Sequence, residues 1–115
     1  GCQIIKIFLH LSKEEQKERL LDRLNEEEKN WKFSSADLAA RAQWDEYQKA
    51  YEEMLEKTSK DHAPWYIVPA DKKYFARVAI GEIIVEHFNK LNLHYPLPEP
   101  AEQLAKAKEI LMNEK

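Results

Sequence analysis

Apolar and polar residues recur along this chain with two rhythms, and the changes of rhythm mark its elements. From Ile4 to Leu11 the run IIKIFLHL is β-branched or aromatic apart from Lys6 and His10, which predicts a mostly buried strand. Ser12-Lys13-Glu14-Glu15 follows as an S-x-x-E capping box, in which the serine oxygen takes an orphan backbone N–H and the glutamate reaches back to the cap. A helix is therefore expected from Lys13 to about Asn25, packing through Gln16, Leu20, Leu21 and Leu24, with Arg19 and Arg23 on a neighbouring stripe. Glu26 to Phe33 loses the period and reads as a loop. Ser34 or Ser35 then caps a second helix, the longest element, from Ala36 to about Lys57, where Leu38, Trp44, Tyr47, Tyr51, Met54 and Leu55 recur at helical steps.

Beyond the polar stretch Thr58 to Pro64, Trp65 to Val68 forms a second β-rich run closed by Pro69. Ala70-Asp71-Lys72-Lys73 leads from it into an amphipathic helix that runs from about Lys73 to Asn89. Two strands separated by helices predict an α/β fold, mostly helical, with a short parallel sheet and right-handed crossovers. Two parallel strands alone make a marginal sheet, so further strands are expected outside these residues. The unpaired edges predict self-association into a homo-oligomer. Tyr95 to Pro100 is a proline-punctuated linker to an appended helix from Ala101 to about Asn113. The organisation expected is thus a body over 1–92 and an appendage over 93–115.

Composition narrows the chemistry. The chain of 115 residues fits one domain with a modest core, and its 34% charged residues point to solvated helices. A formal net charge of −3 argues against nucleic acid as a partner, which normally needs an excess of cations along one face. No apolar run approaches the roughly 18 residues of a membrane span, and the first residues carry no secretion signal, so no membrane partner and a cytoplasmic location are expected. Cys2 is the only cysteine, which excludes an internal disulfide, and His10, His62, His87 and His94 lack metal-ligand spacing. Gly1 and Gly81 stand alone, so no glycine-rich loop can cradle phosphates and any phosphate must be held by side chains. The chain also opens on Gly1-Cys2-Gln3 directly before an apolar strand, as a piece of a longer protein would.

Ligands of open α/β sheets bind beyond the carboxyl ends of the strands, here after Leu11 and Val68. After the first strand come Arg19 and Arg23, then Lys29 and Lys32, then Arg41, a set of cations suited to a chain of phosphates if they converge. The same residues, interleaved with Glu15, Asp22 and Glu26, also describe an ordinary solvated helix face. After the second strand, Asp71, Lys72 and Lys73 either contact a base or ribose or merely start a helix. Trp31, Trp44, Tyr47 and Tyr51 could stack on bases, although helical spacing favours packing.

In order along the chain stand LHLSKEEQKERL at Leu9–Leu20, Trp31-Lys32-Phe33-Ser34 with Asp37-Leu38, Trp44-Asp45-Glu46-Tyr47, Ala63-Pro64-Trp65 and Pro69-Ala70-Asp71-Lys72. Over about residues 4 to 90 this series resembles the polyphosphate kinase 2 family, which moves phosphoryl groups between inorganic polyphosphate and nucleotides on a thymidylate-kinase-like P-loop fold with a helical lid. The resemblance implies that Arg19 and Arg23 are lid arginines acting on the transferring phosphates and that Lys32 is the lysine of the family's W-K motif; with Lys29 and Arg41 they form the expected phosphate-binding set, and Asp71, Lys72 and Lys73 the expected nucleotide-binding set, for AMP, ADP or GDP. Charge neutralisation on equatorial oxygens is the role such residues would play. The family's Walker A and Walker B motifs are missing from these residues. The resemblance therefore implies a C-terminal lid-and-core fragment, inactive alone, with Mg2+ held in the full-length enzyme by residues not in this chain. Two alternatives remain open: a noncatalytic helical interaction module, and part of an ATP-dependent nucleoside monophosphate kinase.

Overall fold

The computed structural model describes all of residues Gly1–Lys115. Strand β1 is Lys6–His10 and strand β2 is Trp65–Pro69, paired parallel with Lys6 opposite Trp65 and His10 opposite Pro69. The predicted first strand is trimmed at both ends, because β2 offers only these five positions to pair with; Ile4 is left 63% exposed. The Ala70 N–H donates to the His10 carbonyl at 2.8 Å and carries the pairing one step further.

Helix α1, Lys13–Asn25, has the bounds its sequence pattern predicts. Its cap differs from a self-contained capping box. The Ser12 hydroxyl accepts the Glu15 N–H at 3.1 Å, but Glu15 does not reach back; the Ser12 N–H goes instead to the Asp71 carboxylate at 2.7 Å. The expected loop after α1 is a short 3-10 helix, Glu27–Lys32. It is folded against the end of α1 by the Asn30 side-chain amide, which donates to the carbonyls of Arg23, Leu24 and Glu26 at 2.7–3.1 Å.

The single long second helix is not formed. Two helices replace it, α2 at Ser35–Ala42 and α3 at Trp44–Thr58, broken at Gln43 where the backbone opens to ψ 27°. No glycine or proline stands there, but the charges suit two helices: Arg41 closes α2, and Asp45 and Glu46 open α3, each matching the nearby end of a helix dipole. Ser34 caps α2, with the Asp37 carboxylate accepting the Ser34 N–H at 3.3 Å.

Helix α4, Lys73–Lys90, is followed after Leu91 by Asn92, whose φ of 51° is a left-handed conformation that asparagine tolerates well. The sheet separates α3 from α4. Val68 and Ala70 pack with Ala76 of α4 in the small buried core, against Ile7, Leu11, Ala79, Ile80 and Ile83. On the opposite face Phe8 meets Tyr51 of α3 with ring centroids 5.1 Å apart. Trp65 and Lys6 anchor the other end of α3: the Trp65 indole N–H donates to the Thr58 hydroxyl at 2.8 Å, and the Lys6 ammonium donates to the Thr58 carbonyl.

Only five of 115 residues are buried, and Leu9 and Ile67 on the sheet stay more than half exposed. The apolar stripe expected on the long helix is likewise half open, with Leu38 and Tyr47 exposed. Helix α5, Ala101–Met112, is exposed along its whole length beyond the extended segment at Leu93–Pro100. The radius of gyration of 24.3 Å, against about 13 Å for a compact domain of this size, reflects that extension. No helix is long and apolar enough to cross a membrane.

Candidate functional site

The parallel ladder puts the carboxyl ends of β1 and β2 side by side, so α1 and α4 begin from adjacent points. Arg19 and Arg23 lie one turn apart on α1. The Asn30 amide turns the 3-10 helix back and carries Lys29 and Lys32 to the same side. Together with Asp22, and with Lys73 from the first position of α4, they line one cavity of about 170 Å3 that contains no hydrophobic side chain. Five cations thus surround a small space with one carboxylate among them.

These cations differ in how they are already engaged. Arg19 is committed: its Nε donates to Glu15 at 3.1 Å and its Nη2 to the carbonyls of Ala70 and Asp71 at 2.9 and 3.0 Å. Lys29 pairs with Glu26 at 2.8 Å, and that hydrogen bond and charge raise its pKa above the ordinary lysine value. The Lys32 ammonium sits 5.4 Å from the centre of the Trp31 ring, which is itself largely exposed. Arg23, Lys32 and Lys73 make no side-chain hydrogen bond or ion pair, so their donors are open to an incoming anion.

Arg41 is not brought into this cluster. Its Nη1 donates to the Lys13 carbonyl at 2.7 Å and to the Gln16 amide oxygen at 3.2 Å, fastening α2 to the start of α1 and turning the guanidinium toward Lys13 and Lys17. Lys72, the residue before α4, does not line the cavity, whereas Lys73 does. Asp71 sits at its edge with its carboxylate bound to the Ser12 N–H; that bond, with the Arg19 and His10 charges, holds its pKa below the ordinary aspartate value. Sequence reasoning placed Asp22 only as an ion-pairing partner on the helix face and passed over Asn30. Asn30 has no periodic or motif signal, and only an asparagine five residues past a helix end hinted that it closes the helix.

Trp44, Tyr47 and Tyr51 line a separate half-open groove of about 210 Å3 with Gln16, Gln48 and Ala40. Tyr51 is packed on Phe8, and its ring lies 6.1 Å from that of Tyr47. No three His, Cys, Asp or Glu side chains are grouped as a metal ion would require.

A polar cavity lined by cations, three of them unpaired, beyond the ends of parallel strands is suited to phosphate groups, with Arg23 able to offer two parallel donors and the lysines point charges. The family model for polyphosphate kinase 2 matches residues 1–95. The chain is 52% identical over 101 residues to an ADP-polyphosphate phosphotransferase of Rhodopseudomonas palustris, covering 88% of this chain and 35% of that protein. It is 47% identical over 116 residues to the protein described as "Uncharacterized protein in chlN 3'region" of Leptolyngbya boryana, covering 99% of this chain and 85% of that one. The crystal structure of polyphosphate kinase 2 from Arthrobacter aurescens superimposes with a TM-score of 0.88 at 41% identity, over 96% of this chain and 40% of that chain. The chain therefore spans little more than a third of the phosphotransferases it resembles, and its two parallel strands and flanking helices follow their α/β fold. On the match over residues 1–95 and the shared structure, the chain belongs to the polyphosphate kinase 2 family.

Proposed function

We propose that this chain forms the phosphate-gripping lid of an enzyme that moves phosphoryl groups between inorganic polyphosphate and a nucleotide. The observation that carries the reading is the 170 Å3 cavity in which Arg19, Arg23, Lys29, Lys32 and Lys73 meet with no apolar lining. Its charge fits a polyanion, and family membership supplies the polyphosphate. The nucleotide is ADP on the strength of the relative named for it, with AMP and GDP the other candidates.

In this reading Arg23, Lys32 and Lys73 contact phosphate oxygens, and Lys29 joins them by exchanging its exposed bond to Glu26 for one to the ligand. Phosphoryl transfer relies mainly on positioning and on neutralising charge over the equatorial oxygens, so aligned cations would lower the barrier without covalent chemistry. The 3-10 helix is tied to the end of α1 by Asn30, and its cover over the bound phosphates would exclude water as a competing acceptor. Magnesium, implied by the family resemblance, has no fitting donor set among these residues. The 115 residues hold no G-x-x-x-x-G-K loop, so the chain by itself is expected to bind polyphosphate without turning it over.

The test is a hybrid enzyme in which this chain replaces the matching segment of the Rhodopseudomonas phosphotransferase. ATP formation from ADP and polyphosphate is expected, falling about 100-fold or more in the Arg23→Ala hybrid. A folded hybrid that transfers nothing, or an Arg23→Ala hybrid of undiminished rate, contradicts the proposal.

A further inference from the structure

We infer that Asp71 and Arg19 are positioning residues that latch the carboxyl ends of the two strands together and thereby set Lys73 across the cavity from Arg23 and Lys32. The inference rests on the polyphosphate reading of that cavity and adds how its geometry is held.

The latch is a closed ring of hydrogen bonds. An S-x-x-E box would ordinarily be satisfied within its own helix, with Glu15 taking the Ser12 N–H. Here Asp71, 59 residues further on, takes that N–H at 2.7 Å. Glu15 is thereby released to hold Arg19 Nε at 3.1 Å. Arg19 Nη2 then reaches the carbonyls of Ala70 and Asp71 at 2.9 and 3.0 Å, returning to the segment that supplied the carboxylate. Ser12, Asp71, Arg19 and Glu15 thus join the β1–α1 junction to the β2–α4 junction at the point where the short sheet ends.

Two consequences bear on the cavity. Lys73 stands two residues after Asp71 at the start of α4, and Arg23 stands one turn after Arg19 on α1, so the ring fixes their separation. Five cations facing one small space repel one another, and the Asp71 and Glu15 carboxylates at its edge offset that repulsion without entering it. Arg19 lines the cavity but has Nε and Nη2 already donated, so it lacks the free fork that bidentate phosphate binding needs. Arg23 retains that fork.

Salt dependence separates a residue that touches the polyanion from one that places other residues, because each ionic contact contributes to the slope of log affinity against log salt. The chain would be titrated with long-chain inorganic polyphosphate at several salt concentrations, with far-UV circular dichroism confirming the helices of each variant. Arg23→Gln is expected to reduce the slope by roughly 0.7. Asp71→Asn and Arg19→Gln are expected to weaken binding roughly 3- to 10-fold at fixed salt with the slope unchanged. Arg19→Lys, which restores the charge but not the fork, is expected to rescue nothing. Amide exchange at Ser12 is expected to accelerate in Asp71→Asn. A slope loss for Arg19→Gln equal to that of Arg23→Gln, full rescue by Arg19→Lys, or unchanged affinity in Asp71→Asn with a fast Ser12 amide each overturns the latch. Absence of polyphosphate binding by the unmodified chain overturns the functional reading instead, and the inference with it.

Discussion

Arg41 donates from Nη1 to the carbonyl of Lys13 at 2.7 Å, so a residue that the sequence groups with the phosphate binders ties two helices together. The same nitrogen reaches the Gln16 amide oxygen at 3.2 Å, and the guanidinium lies outside the cationic cavity. Arg41→Ala is therefore expected to cost about 1 kcal/mol in urea denaturation, the usual net contribution of such hydrogen bonds. Polyphosphate affinity should change less than twofold. A large loss of affinity with unchanged stability would put Arg41 among the ligand contacts.

Glu26 holds Lys29 at 2.8 Å beside the cavity, with both side chains about half exposed. Its removal should free one cation and delete one repelling charge. Glu26→Gln is accordingly expected to tighten polyphosphate binding roughly two- to fivefold at low salt, an advantage that fades as salt is raised. Titrations at two ionic strengths check both the direction and the fading; weaker binding would mean that Lys29 needs Glu26 to be placed.

The depressed pKa of Asp71 has a definite sign for stability. A carboxyl group whose folded pKa lies below its unfolded value binds fewer protons when folded, so it stabilises above the ordinary aspartate value of 3.8 and loses that contribution as pH falls through the lower folded value. Urea midpoints of the unmodified chain and Asp71→Asn should differ at neutral pH and converge in acid, below 3.8. A difference constant down to low pH would show that the charge on Asp71 is not what holds Ser12.

Helix α5 and the segment before it are exposed throughout, while both edges of the two-stranded sheet remain unpaired. Removing residues 96–115 should change stability by less than about 0.5 kcal/mol. The self-association expected from the unpaired edges should be seen by light scattering in the full and the shortened chain alike, because those edges lie earlier. A clean monomer before and after truncation contradicts the edge argument; a monomer only after truncation moves the interface to α5.

Local chemistry was the legible part of this sequence. Ser12 and Ser34 announce helix starts through residues three positions on, and the β-branched runs around Phe8 and Val68 announce strands, because those signals act within a turn or a pleat. Asp71 could not be matched to Ser12 in the same way, since 59 residues separate them and only the parallel pairing brings them together. Arg41 and Lys73 show the same limit from both sides: each sits on a cation-bearing helix, and packing sends one away from the cavity and the other into it. The break at Gln43 escaped notice because no proline or glycine marks it and the apolar stripe continues across it.

Arg23, Lys32 and Lys73, unpaired around one cavity, are the proposed phosphate donors. Trp31, largely exposed beside Lys32, provides a fluorescence reporter for its occupation. The most direct measurement is a Trp31-monitored titration with long-chain polyphosphate of the chain carrying Trp44→Phe and Trp65→Phe, with and without Arg23→Gln, Lys32→Gln and Lys73→Gln together. Saturable binding that the triple substitution weakens at least about 100-fold is the result expected. Equal affinity with and without the three cations would contradict it.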